Sequence, residues 1–217
     1  MPAFICTGLD YFLRCQQQAD TIINATRPID LFITLTFNES WPEYRHILSG
    51  LPGVPSDHPW EAVQYYYERV QNLKDHFFRT KAAKFGKMEQ LIKRMEFQLC
   101  GAIYSHWLMW TQKGIEQMIQ EDWIRADIPD PNLEPMLYYL VMRYQIHHCQ
   151  DHICGGVRRF GTCKKGAPWP VSDYTFYEPG NPRYTYRRGL ADTRVSPYNA
   201  ELLLLWQGHL NVQYATS

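Results

Sequence analysis

Apolar residues recur along the chain at two different spacings, which predict a mixture of helices and strands. Helical spacing, with apolar positions three and four residues apart, occurs in segments 9–25, about 59–79, 114–124, 133–145 and a short segment that begins at Tyr198. β-Branched and aromatic residues concentrate in segments 30–37, 92–98, 104–110 and 209–214. Because these strands do not alternate regularly with the helices, the sequence predicts an α+β fold with a central antiparallel sheet flanked by helices.

Proline and glycine mark the breaks between these segments. A loop rich in both residues is expected between Pro42 and Pro55, and a hairpin is expected around residues 179–182. The sheet should be built from residues 30–37, 92–98 and 104–110, and helices 9–25 and 59–79 should cover one of its faces.

The composition argues against a disordered protein and against a membrane-spanning one. The 217 residues are 45% hydrophobic and 15% aromatic, which excludes global disorder. The longest apolar run, Met136 to Met142, is far too short to cross a membrane, and the first residues lack a basic region followed by an apolar stretch. We therefore expect an intracellular protein without membrane contact.

Charge is balanced overall but uneven along the chain. The 22 basic and 22 acidic residues argue against polyanion binding over the whole surface. Between Arg158 and Arg188, however, basic residues outnumber acidic ones and alternate with aromatic residues, a combination that suits single-stranded nucleic acid. The alternative is a solvated hairpin with tyrosines on its faces. The candidate contacts are Arg158, Arg159, Lys164, Lys165, Tyr184, Tyr186, Arg187 and Arg188.

One histidine and three cysteines crowd into a short segment. The spacing His147-x-Cys149-x4-Cys154-x8-Cys163 offers the donors that favour a closed tetrahedral zinc site with a structural role. His148 and His152 are competing donors, and a set of free thiols in a loop is the alternative. The isolated Cys6, Cys15 and Cys100 are expected to be small core residues.

A second pair of candidate ligands lies on the predicted sheet. If Gly101 marks a hairpin, Glu96 and His106 lie on the same face and could share a divalent ion such as Mg²⁺ or Mn²⁺. Taken alone, a single glutamate and a single histidine on a sheet are more often a simple hydrogen-bonded pair than a metal site.

Six blocks of the sequence, in order, resemble the Helitron helicase-like replication-initiator domain, which has the HUH endonuclease fold of rolling-circle transposons. The blocks are residues 30–43, 95–110, 126–131, 145–168, 184–188 and 195–213. The resemblance implies an RRM-like antiparallel palm, single-stranded DNA as the substrate, a divalent ion at the palm and a helicase partner. It also implies cleavage by attack of a tyrosine hydroxyl on a phosphodiester.

Two departures from the family pattern affect the expected chemistry. The family holds its metal with two histidines that flank one apolar residue, whereas here the triplet is Tyr104-Ser105-His106. A neutral phenol is a poor ligand for Mg²⁺ or Mn²⁺, so binding at the palm should be weak or absent. The 217 residues also contain neither the family's YxxKY helix of nucleophilic tyrosines nor a phosphate-binding GxxxxGK[ST] loop.

These observations predict a domain that binds single-stranded DNA. Its catalytic residues Glu96 and His106 would be vestigial, and Tyr104 would stand in place of the first metal-binding histidine of the family. Its helicase would be supplied separately, and its location would be nuclear in a eukaryote. An active metal-dependent nickase and a captured protein-interaction module are the alternatives. We expect a palm over residues 1–143, a zinc-binding extension with a basic hairpin over 144–190, and a helix and strand over 191–217 that return to the palm.

Overall fold

The computed structural model describes residues 9–79, 87–97, 103–150, 154 and 163–216, with side chains from residue 13 onward. The helices are α1 (Leu9–Ala25), α2 (Pro42–Leu48), α3 (Pro59–Leu73), α4 (Ile115–Gln120), α5 (Pro135–Leu140) and α6 (Ala200–Trp206). The strands are β1 (Leu31–Thr36), β2 (Met88–Phe97), β3 (Ile103–Thr111) and β4 (Leu210–Tyr214). One π-helical turn follows α3 at Lys74–Phe78, and another follows α5 at Val141–Gln145.

The four strands form one antiparallel sheet in the order β2-β3-β1-β4. This confirms the α+β class and the central position expected for residues 30–37. The pairing brings together distant parts of the chain, because β4 joins β1 from about 180 residues further along.

One face of the sheet carries the main core. Alternate residues of β1 (Leu31, Ile33 and Leu35) are fully buried, as the strand period of two requires. Tyr66 of α3 packs on this face and donates its hydroxyl proton to the Leu35 carbonyl oxygen at 2.8 Å. On the opposite face, which we call the open face, the side chains Phe32, Thr34 and Thr36 of β1 are only half-buried.

A cluster of aromatic rings joins α6 to the start of α2 and to α3. The indoles of Trp41 and Trp206 meet edge to face at 5.0 Å, and the guanidinium of Arg69 lies 4.4 Å from the Trp41 ring. Arg69 also donates to the carbonyl oxygens of Leu205 and Trp206 at the end of α6. Asn199 begins α6 by accepting the Leu202 N–H, a typical N-cap.

Several elements differ from the sequence prediction. Residues 42–48 form α2 rather than a loop, since Pro42 and Glu43 suit a first helical turn. No side chain between Leu13 and Ala25 is buried, so the prediction that α1 covers the sheet was wrong. Helix α3 packs on the sheet as predicted, and α6 joins it there. Cys15 is exposed rather than part of the core, while Cys6 and Cys100 lie outside the described residues. Strand β2 begins at Met88, four residues before the predicted start.

Candidate metal centre and open sheet face

Two adjacent rows of polar side chains cross the open face near one end of the sheet. Strands β1 and β2 finish at this end, and strands β3 and β4 begin there. Cα pairing and hydrogen bonds define the rows. The first row is Glu96, Tyr104, Thr36 and His209, and the second is Arg94, His106, Thr34 and Asn211.

The carboxylate of Glu96 and the imidazole of His106 meet on this face, as the sequence predicts. Glu96 Oε2 lies 3.4 Å from His106 Nε2, and Glu96 Oε1 lies 3.2 Å from Arg94 Nε. Thr34 Oγ1 lies 3.0 Å from His106 Nδ1, and the Phe32 ring stacks on the imidazole at 5.6 Å. His106 is therefore held in one orientation, but a cation at Glu96 would compete with Arg94.

Tyr104 lies directly opposite Glu96 in the register of β2 and β3. The first row thus presents a phenol where the family pattern has an imidazole. Among the described residues, no group of three or more metal-ligating side chains includes Glu96 or His106.

His209 is a member of the first row that the sequence reasoning did not single out. Its Nδ1 lies 3.1 Å from Thr36 Oγ1. Burial lowers the pKa of His209 to about 4, with smaller contributions from the positive charges of His147 and Lys165. The imidazole is therefore neutral near pH 7, and the cysteine-rich segment lies close to this end of the sheet. In the sequence, His209 lies in the family-like block of residues 195–213, where the pattern of residues 209–214 predicts only a strand.

The four predicted zinc ligands come together in a second, smaller core. One donor atom from each of His147, Cys149, Cys154 and Cys163 lies within 4.8 Å of the others, and Cys163 Sγ is 3.3 Å from His147 Nε2. We call these four residues the metal cluster. Cys154 and Cys163 are buried with Ala167, and Trp169 packs against them. The cluster could hold a metal ion.

The turn after Cys163 explains how this ligand is held. The backbone N–H of Lys165 donates to Cys163 Sγ at 3.3 Å, and Gly166 adopts φ +88°, which favours glycine. Burial raises the pKa of the Cys163 thiol, but the backbone groups of Lys165 and Ala167, together with the thiols of Cys149 and Cys154, lower that pKa on balance.

Residues distant in sequence surround the rest of the cluster. Burial raises the pKa of the Cys149 thiol, which Arg194 opposes by donating an N–H at 3.4 Å. The backbone N–H of His147 donates to the Arg194 carbonyl oxygen at 2.8 Å. The side-chain amide of buried Gln145 is oriented so that its nitrogen and its oxygen both have partners. The nitrogen donates to the Leu210 carbonyl oxygen, and the oxygen accepts the Leu210 N–H. The metal cluster is thereby tied to the start of β4, beside His209.

The candidate DNA contacts divide into exposed and buried side chains. Lys164, Lys165 and Arg187 are exposed, and Arg187 pairs with Asp122 at 3.0 Å. Tyr184 is half-buried and packs on Tyr177 and Tyr214. Arg158 and Arg159 lie outside the described residues, as does His152.

Tyr186 and Arg188 require a correction, because each is only 4% exposed. The Tyr186 hydroxyl accepts the Tyr214 N–H at 2.9 Å, and the Arg188 guanidinium lies 5.1 Å from the Trp169 ring. Neither side chain is available to a DNA strand in this fold, so both leave the set of candidate contacts.

A comparison with protein families gives one result that agrees with these residues. The family described as the Helitron helicase-like domain at the N-terminus matches residues 1–109, the part of the chain that carries Glu96, Tyr104 and His106. No curated protein matches the chain. Within the described ranges, no helix combines the length and the apolar character needed to cross a membrane.

Proposed function

The chain belongs to the Helitron helicase-like domain family, and on this premise we propose that it binds single-stranded DNA and has impaired strand-cleavage chemistry. The sheet would be an HUH palm whose open face receives the strand. The observation that carries the proposal is the position of Glu96, whose carboxylate meets the imidazole of His106 in the second row and lies opposite the phenol of Tyr104 in the first. A helicase on another region or another protein would supply the strand.

Single-stranded DNA suits the open face and the surface beside it. The stacked rings of Phe32 and His106 offer apolar surface at the centre of the sheet. The exposed Lys164 and Lys165 lie on the turn of the metal cluster, where they can pair with phosphates. Stacking surfaces combined with nearby cations are typical of proteins that bind single strands.

Impaired cleavage follows from the ligands at the palm. A divalent ion would polarise the scissile phosphate and stabilise charge in the transition state. Here Tyr104 replaces an imidazole, and Arg94 already occupies one oxygen of Glu96. An active nickase is the second candidate, and the 3.4 Å approach of Glu96 to His106 favours it.

Fluorescence anisotropy with a labelled single-stranded oligonucleotide tests binding. We expect affinity at low salt, with log K falling by about 0.7 per phosphate contact for each tenfold rise in salt. Loss of affinity on Lys164→Ala with Lys165→Ala supports the proposal. No detectable binding at low salt contradicts it and favours a protein-interaction module.

A nicking assay with Mn²⁺ separates the two candidates. We expect no cleavage by the natural sequence. Cleavage that disappears in His106→Ala would establish the nickase and overturn the proposal of impaired chemistry.

We also propose that the metal cluster binds one structural zinc ion. Three thiolates and an imidazole match the donors that zinc prefers, and bonds of about 2.0–2.3 Å to one centre put donors roughly 3.3–3.8 Å apart. The described donors lie within 4.8 Å of one another, so a small inward adjustment completes the site. Four protein ligands leave no position for substrate, which makes the role structural.

Elemental analysis of protein purified without chelator tests the ion. We expect about one zinc per chain, lost in Cys154→Ser but retained in Cys15→Ser, since Cys15 is an exposed cysteine away from the cluster. Chelation should loosen residues 144–190 while the pairing of β1 with β3 survives. Protein that folds with less than about a tenth of a zinc per chain and freely titratable thiols would refute the site.

A further inference from the structure

The end of α5 and the π-helical turn that follows it carry a surface cluster of one arginine and two tyrosines. We propose that Tyr139, Arg143 and Tyr144, here called the arginine–tyrosine cluster, bind one nucleotide of single-stranded DNA. A base would stack on the Tyr139 ring, and a phosphate would pair with Arg143. This inference rests on the proposed function and identifies a contact that neither the sequence reasoning nor the family match assigns.

The cluster is exposed and already ordered. Tyr139 and Arg143 are one helical turn apart, and the guanidinium donates to the Tyr139 hydroxyl at 2.7 Å. The guanidinium carbon of Arg143 lies 5.8 Å from the Tyr139 ring centre and 5.5 Å from the Tyr144 ring centre. Tyr139 is 51% exposed, so one face of its ring is open to a base. A rigid stacking surface loses little conformational entropy when it binds.

Among the residues that the structure describes, no acid neutralises the charge of Arg143. No described carboxylate lies within 4.0 Å of its guanidinium, whereas Arg125 bonds both Asp127 and Glu134. A guanidinium has five N–H donors in a fixed fork that matches phosphate oxygens. The donors of Arg143 that do not serve the tyrosines are therefore directed at solvent, where a phosphate can reach them.

The cluster lies at the end of the sheet that carries the polar rows. The Tyr144 hydroxyl accepts a hydrogen bond from Asn38 Nδ2 at 3.0 Å, and Asn38 is two residues beyond Thr36 of the first row. Two residues of extended chain span about 7 Å. Gln145, the next residue, bonds Leu210 beside His209. A strand that crosses the first row can therefore continue onto the arginine–tyrosine cluster.

The π-helical turn provides a local reason for this geometry. Such turns insert an extra residue into a helix and are frequent at functional sites. The turn spans Val141–Gln145, so it sets the direction of Arg143 and Tyr144 relative to Tyr139. Exposed Met136 and Met142 nearby would also suit a protein partner, but they do not account for the unopposed arginine.

Anisotropy measured over a salt series tests the inference with separate variants. Arg143→Ala should weaken binding and reduce the salt slope by about 0.7, because one phosphate contact is lost. Tyr139→Ala should weaken binding roughly 5- to 150-fold with an unchanged slope, because stacking releases no counterions. Tyr139→Phe keeps the ring and should bind almost normally. Arg79→Ala, which removes an exposed arginine already paired with Asp75, is the matched control.

The outcomes separate this inference from the function on which it rests. Weaker binding by Arg143→Ala and Tyr139→Ala, with Arg79→Ala unchanged, supports the contact. Normal binding by both cluster variants overturns it, leaves the proposed function intact and assigns the surface to a protein partner. No binding by the natural sequence overturns both. Thermal unfolding of each variant establishes that a loss of affinity is not a loss of fold.

Discussion

Ser105 separates Tyr104 from His106 on β3, and its replacement by alanine should destabilise the protein. Its side chain points to the opposite face from its two neighbours and is fully buried. The Trp107 indole N–H donates to Ser105 Oγ at 2.9 Å, and the Tyr66 hydroxyl lies 2.9 Å from the same atom. One small hydroxyl thus connects α3 to the strand that carries Tyr104 and His106.

The structure sets the size of the effect. In Ser105→Ala the Tyr66 hydroxyl keeps the Leu35 carbonyl oxygen, but the Trp107 N–H is left buried without its acceptor. An unsatisfied buried donor costs about 1–3 kcal/mol, and the hydrogen bond lost with Tyr66 adds about 0.5–1.5 kcal/mol. We therefore expect the free energy of unfolding to fall by about 1.5–4.5 kcal/mol.

Urea unfolding followed by tryptophan fluorescence measures this loss. Ser49→Ala removes an exposed hydroxyl and should stay within about 0.5 kcal/mol of the natural sequence. In a Trp107→Phe background the indole donor is absent, so Ser105→Ala should cost about 1–2 kcal/mol less than it does alone. A cost for Ser105→Ala below about 0.5 kcal/mol, or equal costs in both backgrounds, would refute the reasoning.

Three further predictions concern other side chains. The unfolding free energy should fall as the pH drops from about 6.5 towards 4, because the unfolded chain protonates His209 while the folded chain, where its pKa is lowered to about 4, does not. His209→Gln should flatten this pH dependence in urea titrations, and an unchanged dependence contradicts the prediction. Arg69→Met should cost about 2 kcal/mol of stability by calorimetry, because the end of α6 loses its charged donors, and equal stability would argue against this cap. Tyr104→His should tighten Mn²⁺ binding by titration calorimetry, and His106→Ala should abolish the gain.

The strands could be predicted where their two faces differ in environment. β1 and β3 alternate between buried and half-buried positions, and both were predicted to within two residues. β2 is an edge strand with no regular alternation, so the pattern did not indicate its first four residues. Helix α2 has only seven residues and is followed by a segment rich in proline and glycine, which obscured its short apolar pattern.

The metal cluster could be predicted because its ligands are close in sequence and chemically distinctive. Its surroundings could not, since Arg194 reaches Cys149 from 45 residues further along the chain, and Leu210 reaches the neighbouring Gln145 from about 65 residues further along. The same holds for the arginine–tyrosine cluster, whose position depends on the contact between Asn38 and Tyr144. Spacing identifies ligands, whereas the position of a site relative to the sheet depends on contacts between distant segments.

In the basic hairpin, side chains alternate between two faces, and this alternation refines the set of DNA contacts that composition alone had suggested. Tyr184, Tyr186 and Arg188 share one face of an extended segment, since they are two residues apart. Tyr214 of the edge strand β4 donates its N–H to the Tyr186 hydroxyl, so this face covers a sheet edge that would otherwise expose a backbone donor. Arg187 lies on the opposite face and is exposed. The buried Tyr186 and Arg188 therefore serve the edge of the sheet, and a contact of this segment with DNA would have to use Arg187 or the half-buried Tyr184.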